Sequence, residues 1–190
     1  MINYPNGKKS VPAKSVPHAS ASRRGMTLES DINQSNEYYL STGKAVIHKK
    51  PTPVQIVHVD YPRRTAAKIT EAYFKVPSTT DYNGIYRGKY IDFEAKETAS
   101  KTSFPFSSIH PHQIEHLRQV LLHGAIGFFI VRFKAYDETF FVEAAKIIPH
   151  YLDDQKRSLS YKWFKEEGIL IPFSLSPSVN YLKVIDQLYF

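Results

Sequence analysis

"TTDYNGIYRGKYIDFEAKE", residues 79–97, decides how this chain is read. It runs strand, turn, strand, with Arg87-Gly88 as the two-residue turn. Tyr86 then pairs with Lys89, and Asp81 falls opposite Glu94. Opposite residues of an antiparallel pair share a face, with Cβ atoms roughly 4.5–5.5 Å apart. Two carboxylates that close repel, and keeping both ionised in a partly buried place is costly. A divalent cation removes the conflict, and magnesium favours hard oxygen ligands while keeping several waters. Lys96, two residues past Glu94, lies on the same face. Asp81 and Glu94 are thus candidates to fix a metal that activates water. Lys96 is the candidate to steady the attacking hydroxide and the charge growing on a phosphorus centre.

Two features leave the register open. Asn83-Gly84 is itself a turn signal that would shift the pairing by one. Asp92 shares the Glu94 face and competes with Asp81 as its partner. A rival constellation is His110, His112 and His116, in which His112 and His116 stand four apart on one helix face, a zinc-compatible spacing. Gln113 occupies the position where a metalloprotease needs Glu, and no third ligand is evident. A Walker-type loop and a G-x-S-x-G elbow are both absent.

Around this hairpin the chain has 190 residues, 42% hydrophobic and 14% aromatic, which suits one domain with a real core. It lacks cysteine, which excludes a disulfide framework and a cysteine-ligated zinc site and fits a reducing cytosol. The run from Ala125 to Val131 is too short to span a bilayer, and no membrane partner is expected. The net charge of +7 is segregated. Lys8, Lys9, Lys14, Arg23 and Arg24 share residues 1–25 with no acid. Lys44, Lys49, Lys50, Arg63, Arg64, Lys68 and Lys75 face only Asp60 and Glu71 in residues 44–75. Two basic zones favour a polyanion partner, nucleic acid above all.

Residues 1–25, rich in Ser, Pro and Lys, read as a flexible basic tail able to meet phosphates. A first helix is expected from about Met26 to Leu40, capped by Thr27 and stopped at Gly43, and a short strand from Ala45 to His48. Within residues 50–77, bounded by Pro51, Pro53 and Pro77, strands at 54–59 and 68–76 flank a turn with an arginine pair. This is expected to project as a hairpin, a nucleic-acid probe or a dimer contact. A helix is expected over Ser108 to His123, begun by Ser107 or Ser108 with Pro111 in its first turn. Ile126 to Phe133 reads as a strand buried on both faces. A strand over Thr139 to Val142 and short helices over Glu143 to Leu152 and Tyr161 to Glu167 follow. The fold class is α/β: a mixed β-sheet flanked by helices.

Several stretches together resemble the RecU family of Holliday junction resolvases: "RRGMTLESDINQSNEYYL" from Arg23, the "PRR" tip, "TTDYNGIYRGKYIDFEAKET" and "FPFSSIHPHQIEHL". The resemblance covers the chain from about residue 23. It implies a restriction-endonuclease-like nuclease domain over 26–190, with 50–77 inserted as a stalk directed at the junction centre. It implies a homodimer that cuts four-way junction DNA in recombination and repair, in the cytoplasm at the nucleoid. The cofactor it implies is magnesium, with manganese as a substitute. Metal-binding positions then fall on Thr79, Asp81, Glu94 and Gln113, and the transition-state-stabilising lysine on Lys96. Lys8, Lys9, Lys14, Arg23, Arg24, Arg63, Arg64 and Lys68 are the expected DNA contacts. Arg64 lies where the family has an arginine linked to recombinase and branch-migration partners. Glu29 sits where related nucleases carry an extra acid. A non-catalytic junction scaffold and a sequence-specific restriction endonuclease are the competing readings.

Overall fold

Strand β7 (Ile126–Phe133) is buried at every position, so it must be covered on both faces. The computed structural model, which describes residues 27–190, shows what covers it. β7 lies inside a six-stranded sheet ordered β1 (Val46–Lys49), β4 (Tyr82–Tyr86), β5 (Lys89–Thr98), β7, β8 (Glu138–Glu143) and β10 (Ile169–Ile171). Only β5 and β7 run parallel; the connection between them carries helix α2 (Pro111–Leu122). Helices α1 (Leu28–Ser41) and α5 (Tyr181–Tyr189) pack on one face with Ile91, Phe93, Phe128 and Ile130. On the other face α2, α3 (Ala144–Tyr151) and α4 (Tyr161–Glu167) pack with Phe129, Val131 and Phe133. The result is a mixed α/β sheet between two helical layers. Among the described residues no helix is long and apolar enough to cross a membrane.

The hairpin takes the register set by its turn. Tyr86 pairs with Lys89 and Tyr82 with Phe93, without a bulge between them. Arg87 and Gly88 both have positive φ, 49° and 76°, the geometry of a type I′ turn whose twist matches the flanking strands. Asn83-Gly84 stays inside β4 and makes no turn. Gly84 has a different reason to be glycine. A Cβ there would lie 2.1 Å from the Val46 carbonyl oxygen and 2.6 Å from the Ile47 Cα of the neighbouring β1. The edge strand can approach only because that side chain is missing.

α1 begins where its sequence allows. The Thr27 hydroxyl oxygen accepts the Ser30 N–H at 3.2 Å, and the Glu97 carboxylate of β5 accepts the Leu28 N–H at 2.9 Å. Leu28, Ile32, Ser35 and Tyr39 form its buried stripe. The α2 expectation needs correction. Phe106–Ser108 is a separate 3-10 turn, and α2 starts at Pro111 with His110 as N-cap. A proline ring disfavours helical geometry in the preceding residue, and His110 is accordingly extended, with φ −85° and ψ 145°. The sequence reading also lacked β10, α5 and the short ribbon of β6 (Ser103–Pro105) with β9 (Ser158–Ser160).

Strands β2 (Val54–Asp60) and β3 (Lys68–Phe74) form a two-stranded antiparallel ribbon outside the main sheet. Every residue of β3 is exposed, and its tip is the 3-10 turn Arg64–Ala66. Residues 1–26, the expected basic tail and helix start, lie outside the described residues.

Gly84→Ala is expected to cost about 2–4 kcal/mol by overpacking against β1. In a chain of this size that lowers the thermal midpoint by about 5–15 °C. Calorimetry checks this against Ile85→Ala, a 58% exposed neighbour expected to change stability by less than about 1 kcal/mol.

Candidate metal centre on the hairpin

Strand β5 alternates with period two. Ile91 and Phe93 enter the core beneath α1 and α5, while Asp92, Glu94 and Lys96 point to the α2 side. Asp92 and Glu94 are both completely buried. Their surroundings differ, and the difference assigns their chemistry.

Asp92 is saturated. Its Oδ2 accepts from Lys50 Nζ at 3.1 Å and from the Tyr90 hydroxyl at 2.9 Å, and lies 2.9 Å from His116 Nε2. Its Oδ1 accepts from the Thr80 hydroxyl. A carboxylate with four partners is a structural anion, not a vacant ligand. The competition between Asp92 and Asp81 ends there, and His116 is drawn into the Asp92 cluster rather than paired with His112.

Glu94 is not saturated. Its Oε2 accepts the Asp81 backbone N–H at 3.1 Å, one residue before β4 begins. The Lys96 ammonium lies 2.9 Å from Oε1 at ion-pair distance, yet Oε1 has no hydrogen bond of acceptable direction. Burial pushes the Glu94 carboxyl up to about 8, a rise that Lys96 opposes and the Asp81 carboxyl reinforces. A buried, under-bonded carboxylate beside a second acid suits a hard divalent cation. Among the described residues no three His, Asp or Glu side chains gather as a metal-binding group. A cation here would have two carboxylates, and neutral oxygens, waters or phosphate would complete its shell.

Thr79 is half-buried two residues before Asp81, and its hydroxyl donates to the Thr80 carbonyl at 3.3 Å. Gln113 is buried on α2, and its Oε1 accepts the His110 N–H at 2.9 Å as the third residue of a helix cap. One lone pair of that oxygen remains for a further partner. Glu29 is exposed and paired with Lys49 at 2.6 Å. Arg63 and Lys68 are exposed at the ribbon tip, where Arg64 opens the 3-10 turn. Lys8, Lys9, Lys14, Arg23 and Arg24 lie outside the described residues.

Sequence reasoning counted Lys50 only among the charges of a basic zone, gave no role to Thr80, and none to Asp92 beyond that of a rival ligand. It weighed His112 only as part of a zinc-compatible histidine spacing. Yet His112 Nε2 is buried without a hydrogen-bond partner, and its basicity is lowered by burial and by the charges of His110 and Lys96. The α2 spacing placed His112 on a face, but only tertiary packing sets that face against Lys96.

The model of the Recombination protein U family, RecU, matches residues 23–187. The chain belongs to that family. RecU relatives named "Holliday junction resolvase RecU" match it end to end. The Oceanobacillus iheyensis protein is 53% identical over all of both chains. The Shouchella clausii protein is 51% identical over all of this chain and 95% of its own, and the Geobacillus kaustophilus protein 50% identical over all of this chain and 98% of its own. A solved structure of Archaeoglobus fulgidus Hjc, an archaeal Holliday junction resolvase, overlaps 74% of this RecU chain and 96% of its own. The overlap has a TM-score of 0.42 and 9% identity, too loose to transfer any residue role.

Cation uptake at Asp81 and Glu94 is expected to expel a proton, because the Glu94 carboxyl stays protonated up to about 8 in the cation-free protein. Affinity should therefore climb as pH rises toward that value and level off above it. In the cation-free chain the folded form holds this proton and the unfolded form does not, from the ordinary glutamate range up to about 8. Stability from this group consequently falls as pH rises through that window. Calorimetric titration with a divalent cation in buffers of different ionisation enthalpy measures the proton release. Glu94→Gln should abolish it.

Proposed function

We propose that this chain is a metal-dependent, structure-selective endonuclease that resolves four-way DNA junctions by paired symmetric nicks. Magnesium is the cation of this reading and manganese its substitute. The carrying observation is the fully buried Glu94 carboxylate, its Oε1 without a hydrogen bond, between the Asp81 backbone and the Lys96 ammonium. Kinship with relatives named as Holliday junction resolvases supports the substrate class.

Asp81 and Glu94 hold the cation, with Thr79 and Gln113 as neutral oxygen donors. Magnesium supplies a Lewis acid that lowers the pKa of a water and neutralises phosphate charge. Lys96, 17% exposed, places its side-chain nitrogen where negative charge grows as water attacks the phosphodiester. Helix α2, which packs against β5 and buries Gln113, covers the site from one side.

Lys8, Lys9, Lys14, Arg23, Arg24, Arg63, Arg64 and Lys68 grip phosphates, and the ribbon of residues 50–77 serves as a stalk into the junction. Selectivity then rests on DNA shape rather than base edges. A four-way junction has two-fold symmetry, which a C2 homodimer with one site per subunit matches. Arg64 at the stalk tip is the contact for recombinase or branch-migration partners. The reading puts the protein in the cytoplasm, at the nucleoid.

One assay tests it: protein and magnesium with a synthetic four-way junction and a matching linear duplex. Paired nicks confined to the junction are expected. Cleavage of the duplex at one sequence would indicate a restriction endonuclease, and binding without cleavage a scaffold. Asp81→Asn should lower the nicking rate by about 10³-fold or more, leaving junction affinity within about twofold. Removing residues 1–22 deletes Lys8, Lys9 and Lys14 and should flatten the salt dependence of binding by up to about 3 in log–log slope.

A further inference from the structure

Asp92 holds no cation in this account, yet it is the most heavily bonded carboxylate beside the site. Its partners come from widely separated parts of the chain. Lys50 directly follows β1 and starts the segment that leads into the ribbon, and Thr80 lies on the segment that returns from it. The Lys50 ammonium sits 3.1 Å from Asp92 Oδ2 and 3.2 Å from the Thr80 hydroxyl, which itself donates to Asp92 Oδ1. Both legs of the ribbon are thus fastened to one buried anion on β5.

The same fastening reaches the candidate ligand. Asp81 follows Thr80 directly, and its carbonyl accepts the Lys50 N–H at 2.7 Å. Its own N–H donates to Glu94. Asp81 stands outside the strand ladder, which ends at Tyr82 paired with Phe93. Its placement against Glu94 therefore depends on these bonds and on the anchoring of Thr80 beside it.

We propose that Asp92 is a positioning residue: with Lys50 and Thr80 it clamps the ribbon root and so holds Asp81 at the right distance from Glu94. This rests on the reading of Asp81 and Glu94 as the metal pair. The clamp also joins the element that would meet the junction to the element that holds the cation. Tyr90 and His116 satisfy the remaining capacity of Oδ2 and tie the anion to β5 and α2.

Lys50→Met and Thr80→Val each remove one fastening and leave Asp92 with at least three partners, so the buried anion is not stranded. The full-length variants are compared in four measurements. These are manganese affinity without DNA by electron paramagnetic resonance, single-turnover nicking of a four-way junction, junction affinity and thermal midpoint. Outer-sphere changes of this kind cost about 10–100-fold in metal affinity or activity. Both variants should bind manganese at least about tenfold more weakly and nick more slowly, with part of the rate restored by excess cation. Junction affinity should stay within about twofold, and Lys50→Arg, which keeps a donor toward Asp92, should recover most of the manganese affinity. Wild-type manganese affinity in both variants would overturn the proposal. So would thermal midpoint and junction binding falling together while manganese affinity holds, the mark of a purely structural role. Asp81→Asn serves as reference: if it too keeps wild-type manganese affinity, the metal pair itself is wrongly assigned and the fault lies there rather than in the clamp.

Discussion

A glutamate with no exposed surface imposes the main constraint on this molecule. Burying a carboxylate costs several kcal/mol unless charge or hydrogen bonds compensate it. Glu94 receives one backbone N–H and a nearby ammonium, and its carboxyl is left with a pKa near 8. The sheet supports this position from all sides. β4 flanks it on one edge and brings Asp81 near, β7 runs parallel on the other edge, and α2 closes the face above. The other face of β5 joins an aromatic stack of Tyr82, Phe93 and Phe128, with ring centroids 4.8 and 4.6 Å apart. That apolar packing fixes β5 firmly enough to hold an unfavourable group on its opposite side.

Asp92 and Glu94 show how environment divides labour between neighbouring acids. They sit two residues apart on one strand face, and both are fully buried. Four partners make Asp92 an anchor, whereas one N–H and an off-axis ammonium leave Glu94 with bonding capacity to spare. A second buried pair does similar structural work elsewhere. Arg132 of β7 meets Asp31 of α1 at 2.7 Å and donates to Thr139 of β8, fastening the helix to the sheet away from the site.

Much of this was legible in the sequence where the signal is local. The Arg87-Gly88 turn fixed the hairpin register, and extending that register one residue past the Tyr82–Phe93 pair brings Asp81 to Glu94. The nearly unbroken apolar run of β7, interrupted only at Arg132, announced a strand with two covered faces. Long-range information was not legible. Gly84 looked like half of a turn, and only the approach of β1 explains it. The Lys50–Asp92 bond joins residues 42 positions apart, and nothing in either neighbourhood marks them as partners. α2 begins later than expected because Pro111 governs His110 more strongly than the serines upstream attract a cap. α5 escaped notice because no side chain caps it and the preceding stretch contains Pro172 and Pro177. β10 has three residues, and its pairing with β8 defines it more than its own composition does.

The central claim is that the under-bonded Glu94 and its neighbour Asp81 form a cation site while the saturated Asp92 does not. Anomalous diffraction from crystals of the full chain soaked in manganese tests it most directly. The account predicts a peak between the two carboxyl groups, about 2.1 Å from Glu94 Oε1, with Asp92 still bound to Lys50 and Thr80. A peak on Asp92 and His116, or none between Asp81 and Glu94 at saturating manganese, would contradict it.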